Sequence, residues 1–345
     1  MECLLIGRWP TADHNNDHFE SGFRARQAGS RLKLRACCVS VCGDWAWCKQ
    51  VLALHGWKSD RQGRMCWICR ATTGNAFDFS LQATWRTTLV RPQDTWQDVF
   101  ESHGHVSGIW SLPGFTLSFV RVDWMHTCCL GVLQHAAGSC LWGCFRLLGG
   151  TYTTWRSACI KLYSMASMAA RSLGTDMPFA ELTIGMMRAQ VGVRAKLRLK
   201  AAEGRYFLPI LIRMLAICYD LGTPHLKLQH NCLNQLQLCY VELETWGAGA
   251  PERVALAARR FCILYKQLSD ESHDGSVWTL VPKFHLFLHC AEGCRLNPRL
   301  ERNYGDEDEI GQASDFARFS NVAHFSTSVM KRYCAMFRWD EAAGE

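Results

Sequence analysis

At 345 residues, with 48% apolar and 20% charged side chains, the chain has the balance of a globular protein, which excludes a disordered or low-complexity chain and allows one large domain or two ordinary ones. Its 38 Lys and Arg residues outnumber 31 Asp and Glu, a formal net charge of +7 that suits nucleic acid without requiring it. The 19 cysteines are odd in number, and the only apolar run near Met1 is Cys3 to Ile6, so reduced thiols and a metal site fit better than a secreted disulfide scaffold, and an intracellular location, nuclear or otherwise, is expected.

In chain order, residues 1–30 are polar and irregular, with His14, Asn15, Asn16, Asp17 and His18 clustered, and little fold is expected there. From Leu32 to Gly43, LKLRACCVSVCG predicts a short strand ending at Asp44. Trp45 to His55 then carries Trp47, Val51, Leu52 and Leu54 at helical spacing and is closed by Gly56. Asp44 therefore sits at a strand end before a helix, where a carboxylate is either displayed for catalysis or simply caps the helix.

Ser111 to Leu268 reads as mostly helical, with breaks near Gly149–Gly150, Gly174–Pro178 and Gly222–Pro224 and a turn at Gly247–Pro251. Phe207, Ile210, Leu211, Met214 and Leu215 mark one amphipathic helix, and Val254, Leu256, Ala257, Phe261, Leu264 and Leu268 another. The apolar stretches Cys128–Gly149 and Tyr206–Cys218 are interrupted by Gln134, His135, Arg146 and Arg213, so both read as buried helices rather than membrane spans. Between them, Arg188, Arg194, Lys196, Arg198, Lys200 and Arg205 face the single acid Glu203. Such a run either lies along a phosphate backbone, releasing a counterion at each neutralised phosphate, or is a solvated helix face. The last region, Pro282 to Phe337, opens with a helix-like segment, passes through GDEDEIG and ends in a helix from Thr327 to Phe337.

Cys66-Trp67-Ile68-Cys69 has the spacing of half a tetrahedral zinc site. In PKFHLFLHC, His285 and His289 stand at i and i+4 on one helical face and complete a Cys₂His₂ set, with Cys48, His55 and Cys290 as substitutes. Each pair alone is weak, since thiols are abundant and a buried helix can carry incidental imidazoles. No βαβ pattern beside the CxxC supports a thioredoxin-like redox role.

Asp123-Trp124-Met125-His126 is followed by LGVL, and DWMHTCCLGV resembles the DxMHxxxLGV pattern of CACTA (En/Spm) transposases. Around it, VCGDWAWCKQVLALHG with CWIC resembles that family's Asp, helix and CxxC block, although Trp45-Ala46 replaces the usual Pro-Ala. KAAEGRYFLPIL resembles its basic helical segment and PKFHLFLH its Pro-Lys-x-His-x-x-x-His block; the order of blocks also resembles the recombinase superfamily that includes the vertebrate antigen-receptor recombinase. The resemblance spans residues 38–312 as a string of short blocks.

The resemblance implies an α+β, predominantly helical chain with a partial RNase H-like core and a large helical insertion. On that reading residues 1–30 are an irregular segment, 31–110 a partial core with the CxxC, 111–270 the helical insertion, and 271–345 a core segment with HxxxH and the acidic cluster. Such enzymes cleave and transfer DNA strands with divalent ions held on three carboxylates, because Mg²⁺ takes hard oxygen ligands. Asp44 takes the second Asp position; Glu307, four residues before Gly311, takes the Glu position, with Glu309 next. Asp13 and Asp17 sit in no strand-like context, so the first Asp is expected to be missing: either a segment upstream of Met1 carries it or the chain is a remnant without cleavage activity. Asp123 and His126 are expected to be structural. Zn²⁺ on Cys66, Cys69, His285 and His289 is the structural cofactor and Mg²⁺ the catalytic one. DNA is the partner, no membrane is involved, and a homo-oligomer stays open. The alternative is a zinc-stabilised DNA-binding or interaction protein without a nuclease; a third reading, a helical protein with chance motifs, expects neither metal nor DNA binding.

Overall fold

A computed structural model describes residues 23–27, 30–34, 41–54, 63–91, 94, 108–111, 115–148, 154–187, 194–272 and 275–300. Described residues are predominantly helical, with two small sheets. Strands β1 (Phe23–Gln27) and β2 (Ser30–Leu34) pair antiparallel in a register that sets Phe23 opposite Leu34 and Ala25 opposite Leu32. Regular structure thus begins inside the stretch expected to be irregular, because apolar and basic residues alternate there at strand period. Of the expected strand at Leu32–Gly43, residues 32–34 belong to β2, Val41–Gly43 form β3, and 35–40 lie outside the described residues.

Next comes α1 (Trp45–Val51), shorter than the expected helix, with the Leu52 amide closing onto the Cys48 carbonyl. A hairpin follows, with Arg64 bridged to Thr72 and Cys69 to Leu89. Strand β4 (Val120–Val122) pairs parallel with β3, setting Gly43 beside Val122. This strand lies inside the region read as mostly helical, since three residues are too few to show a period of two.

After β4 the chain enters a π-helical stretch, Met125–Leu133, that continues as α2 (Gln134–Leu148). The combined run is long and apolar enough to cross a membrane, yet 83% of its most apolar window is buried inside the protein. Four more elements, α3 (Trp155–Ser172), α4 (Ile184–Met187), α5 (Ala201–Cys218) and α6 (Pro224–Glu244), lead to α7 (Ala250–Glu271) and α8 (Pro282–Gly293). Gly249 at φ 72° turns α6 back into α7, and Pro251 in the first turn of α7 has no amide that needs a partner.

Helices α6 and α7 form the largest contact in the fold, with Cys232, Leu236, Tyr240 and Leu243 buried against a stripe of Val254, Ala258, Phe261, Tyr265 and Leu268. Phe207, Ile210, Leu211, Met214 and Leu215 of α5 are all buried; of the stripe expected on α7, Leu256 is instead exposed at 44%. Helix α8 packs on α7, on the π-helical stretch and on β4, so the β3–β4 sheet and the helical bundle share one apolar core. Removing the fully buried Phe261 ring would cost about 3–5 kcal/mol. The acidic cluster with Glu307 and Glu309, the expected helix Thr327–Phe337, Arg188 and His55 lie outside the described residues.

Candidate functional site

Two neighbouring centres emerge, both anchored on α8. The first is built by the 63–72 hairpin. The Met65 amide donates to the Ala71 carbonyl, the Ile68 amide points at Cys66 Sγ at 3.3 Å, and the Val90 amide donates back to the Ile68 carbonyl. This arrangement holds Cys66 and Cys69, both fully buried, on one turn. From the other end of the chain, Pro282 opens α8 and the i, i+4 spacing sends His285 and His289 to the same side.

The four side chains meet. Their ligand atoms all lie within 4.8 Å of one another, the only such group of three or more metal-binding side chains among the described residues. Cys69 Sγ is 3.2 Å from His285 Nε2 and 3.3 Å from His289 Nε2, and the two Nε2 atoms are 3.0 Å apart. A tetrahedral ion with Zn–S near 2.3 Å and Zn–N near 2.0–2.1 Å needs ligand separations of roughly 3.3–3.8 Å, so the cluster could hold a metal such as zinc. His285 Nδ1 donates to the Ala76 carbonyl at 2.9 Å, which fixes the tautomer that turns Nε2 towards the sulfurs.

Electrostatics follow the packing. Burial pushes the Cys66 thiol well up, while the hydrogen bond from Cys66, helped by His285 and His289, holds Cys69 well below the usual thiol range. The pair thus shares one proton, which a metal ion would displace. Burial also lowers His289, favouring the neutral imidazole that a metal requires. Trp85, 1% exposed, stands edge-on to both imidazoles at 4.7 and 4.9 Å and donates to the Asp78 carbonyl. Behind it, Glu292 accepts from both Arg86 and Arg259, tying the CxxC region to α7 and α8.

The second centre is a cleft of about 120 Å³ at the ends of β3 and β4, lined by Asp44, Trp67, Asp123, His126, Lys283 and Leu286, among others. Because Gly43 pairs with Val122, Asp44 and Asp123 each follow directly on the end of one of two adjacent parallel strands. Asp44 Oδ1 accepts from the Trp47 amide at 2.6 Å and so caps α1. Asp123, 2% exposed, accepts from the Met125 amide at 2.9 Å and pairs with His126 Nδ1. Lys283 Nζ reaches across the cleft to the His126 carbonyl at 2.7 Å. Burial, reinforced by Asp44 and Asp123, pushes the Cys48 thiol up to about 12, and burial with Lys196 pulls Lys283 down to about 8 against those two carboxylates.

The basic run takes a different form from a solvated helix face. Residues 194–200 lie in neither helix nor strand, with Ala195, Leu197 and Leu199 buried and Arg194, Arg198 and Lys200 exposed, while Lys196 and Arg205 are half-buried. Backbone bonds to Ser276, Met187, Gln134 and Met186 pin the segment. Cys48 and Cys290, the other thiols near the metal cluster in sequence, point elsewhere, to the Gly43 and Val122 carbonyls.

Sequence reasoning did not find Lys283, although it stands inside the quoted PKFHLFLH block, nor the pairing of Asp44 with Asp123. No spacing rule reports a contact between strand ends 79 residues apart in the chain. No known protein family, curated protein or solved structure matches the chain.

Proposed function

We propose that the chain is a transposase-derived protein that binds nucleic acid and is held together by a structural zinc ion on Cys66, Cys69, His285 and His289. The carrying observation is the convergence of two ligand pairs more than 200 residues apart, in the order in which the CxxC and HxxxH blocks of CACTA-type transposases occur. Four protein ligands leave no open position, which suits a structural ion rather than a catalytic one. The parallel β3–β4 pair with a carboxylate at each end agrees with an RNase H-like core, where Asp44 would hold Mg²⁺ for phosphodiester cleavage together with an acid of the Glu307–Glu309 cluster.

A second reading, a zinc-stabilised DNA-binding scaffold without cleavage, is favoured by the state of the cleft. Both Asp123 oxygens and one Asp44 oxygen are already engaged by the protein, and the Lys283 ammonium supplies positive charge where a divalent ion would sit. Supercoiled and terminal-repeat DNA incubated with the zinc-loaded chain and Mg²⁺ or Mn²⁺ separates the two. Nicking abolished by Asp44→Asn supports the enzyme; salt-sensitive binding without nicking supports the scaffold. A chain that binds neither zinc nor DNA refutes both.

A further inference from the structure

We propose that the cavity of about 470 Å³ between α2, the start of α6 and the end of α7 is a purine-nucleoside site in which Gln229 reads the edge of the base. The inference stands apart from the transposase reading and does not need it.

Gln229 carries the argument. It lies on α6 and lines the cavity, yet it is 2% exposed and its Oε1 is buried without a hydrogen-bond partner. A Cβ on Gly143 would lie 3.5 Å from Gln229 Nε2 and 3.8 Å from Oε1, so the amide end rests against α2 at a point where that helix has no side chain. An unpartnered buried acceptor is destabilising, and Leu or Met would suit this setting at less cost. A water could meet the amide only with two or more polar partners, roughly, of its own, and the other buried residues of the cavity, Leu226, Val277 and Trp278, bring almost no polar atoms. A ligand that carries a donor next to an acceptor would satisfy the amide outright.

Shape and lining narrow the ligand. The volume falls within the roughly 300–1,000 Å³ of small-molecule sites. Two indoles, Trp142 and Trp278, stand among the walls, and both are fixed. Trp142 stacks on Phe145 at 5.1 Å, and Trp278 is held at φ 54°, uncommon for a bulky residue, with its amide donating to Ser139 Oγ at 2.9 Å. Flat π-faces favour a planar ring. A glutamine amide reads such a ring through two hydrogen bonds where an acceptor and a donor stand side by side, as N7 and the N6 amino group of adenine do. The rim is polar and mixed in charge, with Arg146, Thr223, His225 and Glu271 all exposed. Glu271 is held by Gln267 at 2.8 Å and by His225 at 3.8 Å, a positioned carboxylate with acceptor sites to spare. That rim suits the hydroxyls of a neutral sugar better than a phosphate.

The test uses the full chain as purified and radiolabelled adenosine in equilibrium dialysis, with zinc content and thermal midpoint measured for each variant. Wild type should bind one adenosine per chain with a Kd below about 1 mM. Gln229→Met should weaken binding about tenfold while raising the thermal midpoint, a combination that a purely structural glutamine would not give. Gln237→Met, the same change elsewhere on α6, should leave binding unchanged. Glu271→Gln should weaken adenosine about threefold and leave adenine unaffected, which assigns the sugar to the rim. If Gln229→Met fails to fold, hydrogen exchange of the wild type decides: adenosine should protect the amides of residues 225–229 and 275–278, and protection confined to other segments, or none, overturns the site. Absence of saturable adenosine binding also overturns it, and so does a folded Gln229→Met that binds as wild type does. Displacement of adenosine by single-stranded oligoadenylate would bring the same base to Gln229 on a strand, and failure to displace it leaves the free nucleoside as the ligand. None of these readings uses nicking or zinc, so failure of the transposase reading leaves the site standing, and failure of the site leaves that reading untouched.

Discussion

His285 Nε2 and His289 Nε2 lie 3.0 Å apart with Cys69 Sγ within 3.3 Å of each, three electron-rich atoms crowded round one point. Repulsion among their lone pairs is relieved by a cation between them. The purified chain is expected to carry one zinc per molecule by plasma mass spectrometry. Cys69→Ser or His289→Ala should abolish retention and lower stability by roughly 3 kcal/mol or more, given apparent zinc-binding free energies of about 10–16 kcal/mol in zinc-finger peptides. Chelation should lower the thermal midpoint of the wild type but not of these variants.

His135 gives the fold a pH dependence of known sign. Burial, with the charges of Lys196 and Lys283, holds its imidazole at about 3, below the ordinary value of 6.5. Between those values the unfolded chain binds a proton that the folded chain refuses, so stability rises with pH. The contribution is complete above about 6.5 and is lost as pH falls towards 3, at a slope approaching about 1.4 kcal/mol per pH unit. Denaturant unfolding of wild type and His135→Phe at pH 7.5, 6, 5 and 4 checks this. A wild-type curve as flat as the variant's over that range contradicts the assignment.

Asp123 is expected to matter more for folding than for metal. It caps the start of the π-helical stretch through the Met125 amide and holds His126. Asp123→Asn should cost about 1.5–3 kcal/mol, the range for hydrogen bonds to a charged group, with zinc content unchanged. Intact stability together with lost Mn²⁺ binding would instead place Asp123 among the catalytic ligands.

Glu292 sits between two guanidiniums, with its side chain 17% exposed and those of Arg86 and Arg259 17% and 21% exposed. Glu292→Gln leaves two half-buried cations facing one another and should lower stability by about 3 kcal/mol without releasing zinc. Arg86→Met and Arg259→Met combined with Glu292→Leu should cost less than the single change, because apolar replacement of all three removes the charges and their desolvation. A triple variant no better than the single would argue against desolvation as the controlling term.

Local chemistry made part of this molecule readable from its sequence. The i, i+4 histidines, the CxxC turn, the Asp44 cap and the stripes of α5 and α7 are short-range patterns, and short-range patterns survive in one dimension. β4 was hidden because three residues carry no period, and β1 because its alternation is of basic with apolar residues in a segment dominated by polar ones. The placing of Asp44 beside Asp123 depends on which strands lie side by side, which residue type alone does not record. The conformation of 194–200 was open for a related reason: RAKLRLK suits a helix by propensity, and backbone bonds to three other segments override that preference.

The metal cluster also has a consequence in time. His289 follows Cys69 by 220 residues, so at translation rates of about 5–20 residues per second the two cysteines leave the ribosome roughly 10–40 s before their partners exist. Throughout that interval the hairpin carries a dithiol with no imidazoles to complete it, open to oxidants and to competing soft metals. Oxidation of that dithiol before α8 is made would block the site, so on the zinc reading assembly ends with the closure of an early-made turn onto a late-made helix.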